Sequence, residues 1–118
     1  MQQPIEHQLL HAEIHNYKCW IELTDPETLK GVFNGLLATA DFNVLNFSEH
    51  FFPVQGYTSI WLLAESHLAI HTFPNKGWSY IELSSCNAEK AILFKQELQQ
   101  LPYALQGEAS KISTSTPE

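Results

Sequence analysis

The chain has 118 residues, of which 44% are hydrophobic, enough for one domain with a real core. Thirteen acidic residues face six basic ones, all lysine, for a net charge of −7. That argues against a nucleic-acid footprint, which needs clustered Lys and Arg, and against the arginine clamps that grip phosphate or carboxylate. Two cysteines, Cys19 and Cys86, are too few for a disulfide framework. The start Met1–Glu6 has neither the basic nor the apolar part of a signal peptide, and no apolar run approaches the ~18 residues of a membrane span. The expectation is a cytoplasmic protein with reduced thiols and a cationic or neutral small-molecule partner, without nucleic acid or membrane.

Taken in order, Gln8–Ile14 alternates loosely and reads as a first strand. Thr24-Asp25-Pro26-Glu27 is a helix start, with Thr24 in a capping box or Asp25 as cap before Pro26. Leu29, Val32, Phe33, Leu36, Leu37 and Ala40 then form one apolar helical stripe. Phe42–Phe52 reads as a second strand, Tyr57–Leu63 as a third and Leu68–Phe73 as a fourth. Pro74-Asn75-Lys76-Gly77 signals a turn, and Trp78–Ser84 is a fifth strand. Asn87 can cap a second helix to about Gln100, with Ala91, Phe94, Leu98 and Leu101 on one face, stopped by Pro102.

Strand, helix, four strands, helix predicts an α+β two-layer sandwich: a mainly antiparallel sheet with two helices on one face. Residues 1–105 form one domain and 106–118 a flexible tail. The other sheet face needs cover, and Trp61, Trp78 and a 12% aromatic content suggest a second subunit, hence a homodimer.

Polar chemistry is densest between Glu65 and Cys86. Read singly, Ser66 is a turn residue, His67 and His71 are strand histidines, and Cys86 is a small buried residue. Cys86 just before a helix could instead be a thiol poised for proton transfer. His7, His11 and His15 recur every four residues with Glu13 between them, but on a strand that spacing spreads them some 13 Å apart, too far for one zinc. A Ser–His hydrolase lacks the G-x-S-x-G elbow, a Cys86–His71 hydrolase lacks support, and no glycine loop cradles phosphate.

The run Leu63-Ala64-Glu65-Ser66-His67-Leu68-Ala69-Ile70-His71-Thr72-Phe73-Pro74 closely resembles the core motif of prokaryotic-type S-adenosylmethionine decarboxylases. Phe52-Pro53, Gly56-Tyr57-Thr58 and Cys86 also resemble that family's elements, and the resemblance covers roughly residues 9–100. It implies a pyruvoyl-dependent enzyme that cuts its own chain between Glu65 and Ser66 and turns Ser66 into the pyruvoyl group that forms a Schiff base with substrate. No metal or pyridoxal phosphate is expected. The resemblance further implies that His71 is the processing base, Thr58 supports processing, and Cys86 returns a proton during decarboxylation. Phe52 and Phe73 would stack the adenine and attract the sulfonium. The implied role is to supply aminopropyl groups for spermidine synthesis.

Asn75 stands where the family usually has Glu, which would grip the ribose by charge-assisted hydrogen bonds. Phe73 replaces the usual Trp, and Cys86-Asn87 the usual Cys-Gly. Two alternatives stay open: a decarboxylase of ornithine or arginine on the same fold, whose substrate would want Glu13, Glu49 or Glu82 as acidic partner, and a non-catalytic homologue that never matures.

Overall fold

The computed structural model describes residues 13–107. Strand β1 (His15–Ile21) alternates cleanly, burying Tyr17, Cys19 and Ile21 and exposing Asn16 and Lys18. Of the strand expected at Gln8–Ile14, the two described residues are not in a strand, which begins at His15. Glu13 and Ile14 precede β1, and Gln8–Ala12, His7 and His11 lie outside the described residues. The physical reason is pairing: all seven residues of β1 register against β5, from His15↔Ser85 to Ile21↔Ser79.

Helix α1 (Pro26–Thr39) starts where two candidate caps compete, and Asp25 wins. Its carboxylate accepts from the Thr28 backbone N–H at 3.0 Å and the Thr28 hydroxyl at 2.7 Å. These bonds hold its carboxyl below the ordinary aspartate value, while Pro26 gives up no donor at the first helical position. Leu29, Phe33, Leu36 and Leu37 form the buried stripe.

Four strands follow as a meander: β2 (Val44–Phe51), β3 (Tyr57–Leu63), β4 (Ser66–Phe73) and β5 (Trp78–Ser85). Helix α2 (Ala88–Leu98) is capped by Asn87, whose side chain accepts from the Lys90 N–H at 2.9 Å. A two-residue strand β6 (Leu105–Gln106) follows. The sheet order is β2-β3-β4-β5-β1-β6, antiparallel throughout. Among the described residues the sheet thus has six strands rather than five. Gln106, expected to begin the tail, pairs with Trp20 instead.

Both helices lie on one sheet face, giving the expected α+β sandwich. Ile21, Trp61, Leu68, Ile70, Ile81 and Leu83 from the sheet meet Leu29, Phe33, Leu37, Phe94 and Leu98 from the helices in one core. Phe33 and Phe94 join the two helices at 6.1 Å between ring centroids. Trp61 points into this core, fully buried, its indole N–H donating to Asn34 Oδ1 at 2.8 Å. It therefore does not serve the uncovered face. The parity of β3 decides this, because Trp61 shares a face with buried Tyr57, Ser59 and Leu63. Trp78 does sit on the uncovered face by alternation along β5, half-buried, with Tyr80. Ile60 and Leu62 are exposed there. No helix among the described residues is long and apolar enough to cross a membrane.

The edge strand β2 is fastened to α1 by a charged chain. Lys30 reaches Glu49 at 3.1 Å, and the Tyr57 hydroxyl donates to Glu49 at 2.6 Å. The Tyr57 bond, seconded by Lys30, holds the Glu49 carboxyl below the ordinary glutamate range, against a smaller opposing effect of burial. A carboxyl depressed in the folded state adds stability above its unfolded value, near 4.5, and loses it as pH falls through the folded value. Urea unfolding is expected to show wild type losing more stability than Glu49→Gln between about pH 6 and about pH 3. Parallel pH curves for the two proteins would contradict the coupling.

Candidate active site

The β3–β4 connection is a tight hairpin in which Leu63 pairs with Ser66, leaving Ala64 and Glu65 as the turn. Glu65 has φ of 59°. That left-handed conformation suits Gly or Asn, and a side chain there costs roughly 1–2 kcal/mol. The peptide bond after this strained residue leads into Ser66. Ser66, a turn residue when read singly, is instead the first residue of β4.

Ser66 shares its face with buried Leu68, Ile70 and Thr72, and its cross-strand partner on β5 is Ser85. The two hydroxyls meet at 3.1 Å. Ser85 is 1% exposed. Its oxygen also accepts from the Asn87 N–H at 2.9 Å and donates to the Asn87 carbonyl at 3.1 Å. The chain passes from Ser85 directly to Cys86, an exposed free thiol, and then to the cap of α2. Ser66 and Cys86 therefore belong to the same end of the sheet. Sequence reading missed Ser85. The burial alternation Ser79, Ile81, Leu83, Ser85 was one residue longer than the strand it inferred, and only the β4–β5 register reveals the partner.

His71 lies elsewhere. It is five residues from Ser66 on one strand, roughly 16 Å at the usual rise, and an odd separation puts it on the opposite face. There the register lines up His50, Thr58, His71, Tyr80 and Trp20 across five strands. Thr58 Oγ1 and His71 Nδ1 share a 3.0 Å hydrogen bond. This fixes the imidazole by Nδ1 and leaves Nε2 directed away from Thr58. Tyr80 beside it titrates above the ordinary tyrosine value, first through burial and then through the charge of Glu82. His67 is exposed on this same face, between Leu62 and Ser84.

Phe52, Phe73 and Asn75 all lie toward the far end of the sheet from Ser66. Phe73 is seven residues along β4 from Ser66, roughly 23 Å away. Phe73 and Phe52 are both exposed. The Trp20 ring lies 5.5 Å from Phe73, and the His50 ring meets Phe52 edge-on at 4.6 Å. The Phe52 N–H donates to the Gly56 carbonyl at 3.0 Å. Gly56 has φ of 111°, so the aromatic-Pro loop needs glycine to close. Asn75 is exposed in the turn that Gly77, at φ of 79°, completes. A cleft of about 480 Å³ opens at this end between Asp25, Phe51, Phe52, Tyr57, Thr72 and Pro74.

The structure thus brings Thr58 to His71, and Ser66 to the strand end that carries Cys86, but it separates those two groups within one chain. Of the acidic residues, Glu49 is committed to Lys30 and Tyr57. Glu13 lies 3.6 Å from His15, and Glu82 is half-buried in β5. Among the described residues no group of three His, Cys, Asp or Glu side chains could hold a metal.

Comparison with known proteins adds an independent line. A family model described as S-adenosylmethionine decarboxylase matches residues 10–112. An S-adenosylmethionine decarboxylase proenzyme of Prochlorococcus marinus strain MIT 9313 is 35% identical over 101 residues, spanning 80% of this chain and 81% of that one. The proenzyme of the same name from Synechococcus sp. strain WH7803 is 33% identical over 101 residues, spanning 80% and 79%. Among solved structures, an adenosylmethionine decarboxylase from Aquifex aeolicus vf5 superposes with a TM-score of 0.60 at 19% identity, covering 79% of this chain and 85% of that one. This last likeness bears on the fold.

Proposed function

Because the chain belongs to the S-adenosylmethionine decarboxylase family, and so is a carboxy-lyase, we propose that it cuts itself between Glu65 and Ser66 and decarboxylates S-adenosylmethionine to supply aminopropyl groups for spermidine synthesis. The observation that carries the reading is the junction itself: a left-handed Glu65 followed by a serine whose hydroxyl is held in a hydrogen-bonded chain.

Processing needs only the chain's own atoms and one water. The Ser66 oxygen attacks the Glu65 carbonyl carbon, the C–N bond breaks, and the proton lost from oxygen is balanced by one gained at nitrogen. The turn strain at Glu65 favours this step, since cleavage releases it. A base then removes the Ser66 α-proton, the Ser66 Cβ–oxygen bond breaks, and the Glu65 main-chain carboxylate leaves as the new C-terminus. The resulting dehydroalanine is hydrolysed, with loss of ammonia. The residues fit a pyruvoyl group, because its serine precursor stands at the first position of a strand paired on both sides. That group supplies a ketone as electron sink for loss of carbon dioxide. Exposed Cys86, at the same end of the sheet, returns a proton to the substrate carbon. Phe52 and Phe73 offer stacking rings, and neutral Asn75 accepts through a single oxygen.

His71 and Thr58 enter through a second copy. Chemistry at one end of the sheet and ligand grip at the other are reconciled by a two-fold homodimer. Stacking two sheets by their uncovered faces, strands reversed, brings each copy's Ser66 end toward the other's far end. Exposed Ile60 and Leu62 would be buried by it. The relatives' names favour S-adenosylmethionine over ornithine or arginine, and a maturing proenzyme over an inert homologue.

Denaturing mass spectrometry is expected to give residues 1–65 and 66–118, the second blocked to Edman degradation. Ser66→Ala should stay as one chain, whereas Cys86→Ala should cleave yet lose turnover. A single intact species after long incubation would remove the reading. Light scattering should give about twice 13.4 kDa. Co-refolding Ser66→Ala with His71→Ala should cleave the His71→Ala chain, although neither variant cleaves alone; no cleavage in the mixture would place the base elsewhere. Carbon dioxide release should occur with S-adenosylmethionine and not with ornithine or arginine. Asn75→Glu should raise the affinity for S-adenosylmethionine roughly 10- to 150-fold, the worth of one charged hydrogen bond.

A further inference from the structure

Resting on the self-cleavage reading, we infer that Ser85 is the positioning residue that orients the Ser66 hydroxyl for the acyl shift. The argument is one of hydrogen counting. A serine hydroxyl has one proton and two lone pairs. The Asn87 carbonyl can only accept, so the 3.1 Å contact from Ser85 to it uses the one Ser85 proton. The Asn87 N–H, at 2.9 Å, takes one Ser85 lone pair. What remains on Ser85 is a single acceptor site, and Ser66 stands 3.1 Å away. The Ser66 hydroxyl must therefore donate to Ser85. Its proton is drawn toward β5, and both of its lone pairs are left free for the carbonyl carbon of Glu65.

The arrangement is rigid by construction. Ser85 is buried at the end of a strand paired on both sides, with Ser66 on one flank and His15 on the other. Both Asn87 partners are backbone atoms at the cap of α2. The start of α2 thus fixes Ser85, and Ser85 fixes Ser66. A hydroxyl held in one rotamer attacks faster than a free one because its orientation is set before reaction. Ser85 is not the base: it is a neutral hydroxyl that keeps its own proton, donated to the Asn87 carbonyl, and so has no basic site for the Ser66 proton. In the shift the Ser66 oxygen–carbon bond forms and the Glu65–Ser66 C–N bond breaks. The hydroxyl proton is lost as the new amine gains one, so no co-reactant is needed.

The test follows cleavage of the freshly refolded full chain over time. Ser85→Ala should fold with a melting temperature close to that of Ser66→Ala, yet cleave at least about tenfold more slowly than wild type, about 1.4 kcal/mol in barrier. Ser85→Thr keeps the hydroxyl and should restore most of the rate. Combining Ser85→Ala with His71→Ala isolates the first step. Where elimination is stopped, the ester builds up and is scored as chain cut by hydroxylamine, and the double variant should build it up about tenfold more slowly than His71→Ala alone. Ser85→Ala cleaving at the wild-type rate would overturn the inference, and so would equal slowing in Ala and Thr. Wild type that never cleaves would overturn the self-cleavage reading itself, and this inference with it.

Discussion

Strand β4 runs between β3 and β5 in a register that leaves little freedom. Leu63↔Ser66 on one side and Ser66↔Ser85 on the other fix where the strand begins. From there the two-residue period of a strand assigns every side chain to a face. A slip of one residue would put Ser66 on the uncovered face and remove it from Ser85, while turning Leu68 and Ile70 out of the core. Burial of those two side chains and of their neighbours Trp61, Ile81 and Leu83 makes that slip costly. The position of the Ser66 hydroxyl is thus enforced by the hydrophobic core.

The same period divides the site. Ser66 and His71 are close in sequence, yet the odd spacing that sends them to opposite faces also sets them roughly 16 Å apart. Phe73 and Asn75 are farther still. Each group is well built where it stands. Thr58 holds His71, Asn87 and Ser85 hold Ser66, and the loop from Phe52 to Gly56 presents an aromatic ring beside a cleft. Two such groups at opposite ends of one sheet are what the proposed two-fold dimer would bring together, because a two-fold axis pairs each end with its opposite.

The β3–β4 turn carries backbone strain that the neighbouring turns avoid. Every other tight connection with positive φ between these strands uses glycine, at Gly56 and Gly77. At Glu65 a side chain is retained and the strain with it. The surrounding hairpin supports that cost with ladder pairing on both sides, so the strained peptide is presented without loosening the sheet.

Much of this was legible in the residues. The apolar stripe of α1, the caps Asp25 and Asn87, the turn Pro74–Gly77 and the limits of β3 follow from local periodicity and side-chain hydrogen bonding, which act within a few residues. The motif from Leu63 to Pro74 pointed to the family and placed Ser66 and His71 among the candidates, and the separate Gly56-Tyr57-Thr58 element added Thr58. Other features were decided only by contacts between distant segments. These are the start of β1 at His15, the sixth strand at Leu105–Gln106, the burial of Trp61 against Asn34, and the pairing of Ser66 with Ser85. Composition sets what a segment can bury. It does not set which strand lies beside it, because hydrogen-bond register is chosen by the packing of the whole sheet.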